Sequence, residues 1–344
     1  MVNLNIKGRM IWLDALKGFL MTVVVWSHST AYNDRIGHWL IVSYMGIFFF
    51  ISGFTMHYNN DSIADVIIRR AKRLLIPYLF YGILLIILDL IIRGGNPLVK
   101  FAGLLYDRYC LYRFESENNI FFLQSWNATF WFLAAMFGAS VVAIIFFKYF
   151  KKFGGIPFVF VCLIITGILS SFRLLLPWSI DSIFLLAAII IIGNHLGNTI
   201  LPMEATVNKC EIFILVFSIT QYMLLAERQG TTNLSLGQYG SGYESIFYYC
   251  LICILGGIVG IFLFYKMRNI YFLIKPLAWI GQRSITFLCL QLFFLWIGQL
   301  ICSKLPLSTL FQNITTFIIG MCGCACIAWI NQFLGKKINF FRYL

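Results

Sequence analysis

Apolar runs of about 20 residues, the length needed to cross a bilayer as a helix, recur from Met10 to Ile330 with short polar interruptions. Lipid offers no partner to a bare backbone amide, so each such run must satisfy its hydrogen bonds within its own helix. In a chain of 344 residues that is 60% apolar and 11% charged, polar material is too scarce to cover a soluble globule. The sequence therefore predicts an all-α, polytopic membrane protein with about ten transmembrane helices in a single transmembrane domain over 1–344. The predicted spans lie near 10–31, 38–57, 74–92, 129–149, 156–172, 178–197, 212–226, 246–265, 277–301 and 308–330. No soluble domain fits between them, and no internal repeat is visible.

The net charge of +13 raises the question of a nucleic-acid partner. The cations fall in short clusters between apolar runs rather than along one solvated face, so no nucleic acid is expected and the clusters read as topology signals. An inward N-terminus puts about twice as many Lys and Arg in the cytoplasmic connections as outside, including Arg69, Arg70, Lys72, Arg73, Lys148, Lys151 and Lys152. Ten spans then leave the N- and C-termini cytoplasmic. The long connections 93–128 and 227–245 fall outside, where they are placed to cap a cavity. Ser29-Thr30-Ala31 faintly resembles a secretory cleavage site, but Asp14 and Lys17 interrupt the preceding apolar stretch, so the first helix is expected to be retained. Most of the ten cysteines lie inside apolar runs and read as small buried side chains. Cys250-x-x-Cys253 lacks a second pair and Cys322-x-Cys324-x-Cys326 has no nearby histidine, so no metal is expected.

The most informative segment runs Trp12-Leu13-Asp14-Ala15-Leu16-Lys17-Gly18 and on to Trp26-Ser27-His28-Ser29. At 100° per residue, Lys17 and Asp14 fall within about 20° and 40° of the face that carries His28, so the three ionisable groups form one stripe. Asp14 and Lys17, three residues apart, are placed to pair. Charge inside a bilayer costs at least about 2.5–3.5 kcal/mol per residue, so the stripe should face protein or a wet cavity. The alternative is that Asp14 and Lys17 snorkel to one interface while His28 bonds a neighbouring helix near the other. An imidazole suits proton transfer from a hydroxyl near neutral pH. His38 and His57 read instead as interface residues and His195 as a helix end. A second feature, Arg69-Arg70-Ala71-Lys72-Arg73, either binds anionic headgroups of membrane lipids or grips donor phosphates, for which Arg has the matching fork.

Asp14-x-x-Lys17-Gly18, followed after ten residues by His28, resembles the first-helix signature of the acyltransferase 3 family. Ile51-Ser52-Gly53-Phe54, Arg70-x-x-Arg73 before Pro77-Tyr78, and Phe130-Trp131-Phe132-Leu133 are similar to further elements of that family, in the same order. Trp279-Ile280-Gly281-x-x-Ser284 resembles its penultimate-helix pattern. Lys17 stands where the family usually has arginine, and Gln291 roughly where many members have a second histidine. The resemblance implies transfer of an acyl group, most often acetyl, from acyl-CoA (acetyl-CoA) to a hydroxyl of a cell-surface or lipid-linked carbohydrate, in a bacterial plasma (inner) membrane. It implies His28 as the catalytic residue, with Asp14 and Lys17 organising its helix, and Arg70, Arg73 and the adjoining Arg69 as the coenzyme site. The arrangement is compatible with a homodimer. A transporter or flippase for a lipid-linked glycan is the alternative, but it would require more mid-membrane charge, Pro or Gly than the chain carries. A glycan polymerase would need a larger outward loop.

Overall fold

The computed structural model describes the chain except for residues 1–4, 7–8, 30–34, 57–61, 109, 114–119, 122–125, 173, 201–208, 231, 241–243 and 307. A two-residue antiparallel pair, β1 (Asn5–Ile6) with β2 (Arg9–Met10), leads into α1 (Ile11–Ser29). There follow α2 (Arg35–Ile41), α3 (Tyr44–Phe54), α4 (Ile63–Arg93), α5 (Pro97–Tyr106), α6 (Trp131–Ile145), α7 (Gly155–Ser171) and α8 (Ile180–Ile200). The chain continues through α9 (Lys209–Gln229), α10 (Ser245–Lys266), α11 (Tyr271–Gln282), α12 (Ser284–Cys302) and α13 (Thr309–Leu334). The fold is all-α and polytopic, as expected.

The expected count of about ten spans differs from the count among the described residues. Among the described residues, seven segments are long and apolar enough to cross a membrane: Gly37–Phe54, Ile63–Arg93, Trp131–Phe150, Pro177–Asn198, Ser245–Asn269, Ser284–Cys302 and Thr309–Leu334. The other three expected spans are also helical. Asp14, Lys17 and His28 dilute the apolarity of α1, α7 has only 17 residues, and α9 runs through the whole of the expected 212–226. The expected span 277–301 breaks at Arg283, whose backbone (φ −119°, ψ 19°) leaves the helical region and separates α11 from α12. Helix α4 starts eleven residues before the expected span at Leu74, so the basic cluster lies on the helix itself. His57 lies outside the described residues, and His195 sits within α8 rather than at its end.

The chain forms two compact units, one of Met1–Ile41 with Gly260–Leu344 and one of Val42–Val259. In the first, α1 packs on α11, α12 and α13, while α12 and α13 pair with each other. Helices attract each other in lipid mainly by close packing, which small residues permit. Accordingly, a Cβ on Gly18 would lie 1.8 Å from the Leu277 carbonyl oxygen, and one on Gly281 would lie 1.9 Å from that of Asp14. In the second unit α3 lies on α8 by the same device: a Cβ on Gly53 would meet the Ile190 carbonyl oxygen at 1.9 Å. Helix α8 also packs on α6 and α7, and Phe132 of α6 meets Phe49 of α3 edge-on at 5.2 Å between centroids.

Candidate active site

The first unit holds Asp14, Lys17 and His28 on α1. Asp14 sits in the first turn, where a carboxylate is favoured by the helix dipole, and is only 4% exposed. Its carboxylate accepts from Arg9 Nε at 2.6 Å and from Gln282 Nε2 at 3.3 Å, and Lys17 Nζ stands 3.8 Å away. The expected Asp14–Lys17 pair therefore exists. Two further partners, Arg9 and Gln282, were not read as site residues. Gln282 follows directly on the Gly281 backbone contact, and that proximity in the fold has no counterpart in local sequence.

His28 occupies the last turn of α1, and its ring is exposed rather than enclosed with Asp14. Its Nδ1 lies 2.8 Å from the Val24 carbonyl oxygen. A carbonyl can only accept, so Nδ1 carries the proton in the neutral ring and Nε2 presents its lone pair. The Ser27 hydroxyl donates to the same carbonyl at 2.7 Å and lies 3.2 Å from Nδ1, which adds to the fixation of the ring. The arrangement suits Nε2 for accepting a proton.

The second unit holds the basic cluster. Arg69 and Arg73 are exposed, while Arg70 is half-buried and its Nη1 donates to Ser52 Oγ at 3.5 Å. This contact joins the Arg-x-x-Arg and Ser-Gly-Phe elements, which the sequence separates by 18 residues.

A third cluster, also in the second unit, was missed altogether. Asp181, at the start of α8, is fully buried and accepts from Arg108 Nη2 at 2.8 and 2.7 Å and from Arg113 Nη2 at 3.1 Å. Arg108 also donates through Nη1 to Ser179 Oγ at 2.8 Å, and Arg113 donates to the Gly237 carbonyl. Burial, with the Asp181 charge next, pushes the Tyr239 phenol up to about 12, so it remains protonated and donates toward the Asp181 carbonyl at 3.3 Å. Among the described residues, all three non-glycine positions with positive φ, namely Asp107, Trp178 and Ser179, stand beside this cluster. Such backbone persists only where the surroundings over-determine it. In sequence, Arg108 and Arg113 look like ordinary loop cations, and only their burial against Asp181 distinguishes them.

Among the described residues no group of three or more His, Cys, Asp or Glu is placed to hold a metal. The described cysteines are free thiols; Cys322 and Cys326 are exposed and the rest buried.

Compared with known families, the chain matches the acyltransferase 3 model, an acyltransferase domain, over residues 10–331. It belongs to this family. The match covers nearly the whole chain, including α1 with its histidine and the basic cluster on α4, and it makes the chain an acyltransferase with membrane helices. Neither the curated proteins nor the solved structures compared contained a match.

Proposed function

We propose that this acyltransferase 3 protein moves an acyl group, acetyl in the simplest case, from acyl-coenzyme A to a hydroxyl of a cell-surface or lipid-linked carbohydrate. His28 acts as general base. Nε2 takes the proton of the acceptor hydroxyl as its oxygen attacks the thioester carbonyl. The carbon–sulfur bond then breaks, and the coenzyme thiolate takes the proton back from the imidazolium, leaving ester and free thiol. The observation that carries the reading is the Nδ1 contact to the Val24 carbonyl, which leaves Nε2 of this exposed residue as the acceptor atom.

Asp14 holds Arg9, Lys17 and Gln282 and so anchors the start of the helix that carries His28 at its other end. Arg70 and Arg73, with Arg69 beside them, contact donor phosphates, for which the guanidinium fork is suited. The protein resides in the bacterial inner membrane, and the distribution of Lys and Arg favours a cytoplasmic N-terminus.

The test is transfer of radiolabelled acetyl from acetyl-coenzyme A to a panel of envelope glycans, comparing wild type with His28→Ala and His28→Gln. Both variants should lose at least about a hundredfold in rate, the lower end of what a positioned acid–base group contributes. Undiminished transfer by either variant would remove the imidazole from the chemistry.

A further inference from the structure

At the end of α4 the chain doubles back. Gly94 (φ 72°) and Gly95 (φ 104°) take up backbone that a side chain would strain, and they turn the chain. Asn96 then caps α5, its Oδ1 accepting from Leu98 N at 2.9 Å. Helix α5 returns alongside α4: Lys100 Nζ bonds the Asp89 carboxylate, a Cβ on Gly82 would stand 2.6 Å from Leu104 Cδ1, and the Tyr78 hydroxyl donates to the Leu104 carbonyl. At 1.5 Å per residue, Gly82 and Tyr78 lie about 16 and 22 Å back along α4 from Arg93. Helix α4 is long and apolar enough to cross a membrane, so α5 retraces more than half of the roughly 30 Å hydrocarbon layer.

The outer surface of this hairpin is apolar. On α5, Leu98 is 77% and Leu105 66% exposed, with Phe101 exposed between them, and on α4 Ile83, Ile87 and Ile91 are exposed over the same interval. Lys100, the one charge of α5, is turned away to Asp89. Arg93, at the turn, stands 3.7 Å from the same carboxylate and 4.6 Å over the ring of Trp126. The polar groups are arranged as lipid requires. The last carbonyls of a helix have no partner within it, and in water the solvent serves them. Here the Gly103 carbonyl accepts from the Asp107 amide at 2.8 Å, the Leu104 carbonyl from Tyr78, and the Leu105 carbonyl from Trp178 Nε1 at 2.8 Å. Beyond α5 the chain is irregular, yet Asp107 and Arg108 are fully buried and Arg113 nearly so. Irregular backbone at membrane depth occurs only where protein encloses it, whereas a connection in water has no need to hide three charges.

We infer that α5 is a re-entrant helix, inserted beside α4 into the bilayer, and that its exposed face of Leu98, Phe101 and Leu105 binds lipid acyl chains. The start of the connection 93–128 is then an anchored wall of the fold rather than a water-facing cap, and the buried Arg108–Asp181 cluster sits at its tip. Continuity with the exposed side of α4, a membrane helix in its own right, selects lipid over a second copy of the chain as the occupant. The inference is independent of the reaction proposed above.

Leu98→Cys and Leu105→Cys, each in otherwise unchanged protein in phosphatidylcholine nanodiscs, are treated with a sulfonated maleimide. Labelling is followed by peptide mass spectrometry, which separates the new thiol from the native ones. Lys336→Cys, at an exposed position past the end of α13, is the control, since both faces of a nanodisc are open to the reagent. The protein itself leaves both leucines well exposed, so only lipid or another chain can shield them. Only the thiolate reacts, and apolar surroundings keep a thiol protonated, so Leu105→Cys should label at least about tenfold more slowly than the control, with Leu98→Cys, nearer the turn, in between. In a second arm, which requires no substitution, wild-type protein is photolysed with phosphatidylcholine bearing a diazirine at the acyl-chain end, and adducts are expected within Pro97–Tyr106. Labelling of Leu105→Cys at the rate of the control would overturn the insertion. Slow labelling without acyl-chain adducts on α5 would mean that a second copy of the chain covers the face, and would overturn the assignment to lipid.

Discussion

Replacing Asp181 with alanine removes the carboxylate that bonds Arg108 and Arg113 in the buried cluster and strands both guanidiniums. Asp181 and Arg108 are fully excluded from solvent, and Arg113 is 3% exposed. The three N–H···O hydrogen bonds that the substitution abolishes measure 2.7, 2.8 and 3.1 Å. Breaking a buried ion pair from one side costs about 3–5 kcal/mol, because the abandoned charge has neither its partner nor water. At about 2–4 °C per kcal/mol for a body of this size, the midpoint of thermal unfolding should fall by roughly 6–20 °C. The assay is tryptophan-fluorescence melting of the purified protein in a mild detergent. Adding Arg108→Ala to Asp181→Ala should restore part of the loss, since it removes one stranded charge. A loss below about 1 kcal/mol in Asp181→Ala would place the cluster in the class of solvated surface pairs and refute the reasoning.

The crossing of α1 and α11 supplies the second expectation. Gly281→Ala should destabilise by about 1–3 kcal/mol in the same melting assay, because its Cβ would stand 1.9 Å from a backbone oxygen that cannot swing away. Asp107 gives a pH dependence. Burial, against the smaller opposing effects of Tyr78 and Arg108, holds its carboxyl well above the ordinary value of 3.8. The folded state therefore keeps a proton that the unfolded state has released, and stability falls as pH rises from about 3.8 toward the raised value. Asp107→Asn tolerates the same left-handed backbone and should flatten that slope in melts across the interval; an unchanged slope would assign it to other groups. Arg70→Ala with Arg73→Ala should weaken donor binding about tenfold or more while leaving acceptor KM unchanged. Equal donor affinity in the double variant would reduce the cluster to a topology signal.

Local patterning was sufficient wherever one segment alone determines the outcome. The apolar runs predicted helices at almost every expected position, because a chain in lipid has few ways to satisfy its backbone. The Asp14–Lys17 pair was legible for the same reason, since three-residue spacing on a helix already brings the groups together. Break points were less legible. Nothing in the composition of 277–301 announces that Arg283 leaves the helical region and separates α11 from α12.

Contacts between distant segments lay beyond the reach of pattern. The Asp14 carboxylate meets Gln282 only because Gly18 and Gly281 let two helices approach to backbone distance. Arg108, Arg113 and Asp181 are up to 73 residues apart and look like isolated loop and helix-end charges until the fold buries them together. Sequence alone determined a helical membrane protein with a histidine on its first helix, and carried the short motifs that resemble the acyltransferase 3 family, because periodicity, apolarity and short motifs are local properties. Which charges lose their water, and which partner then compensates each of them, was decided by the tertiary structure, because desolvation depends on everything packed around a group rather than on its neighbours in the chain.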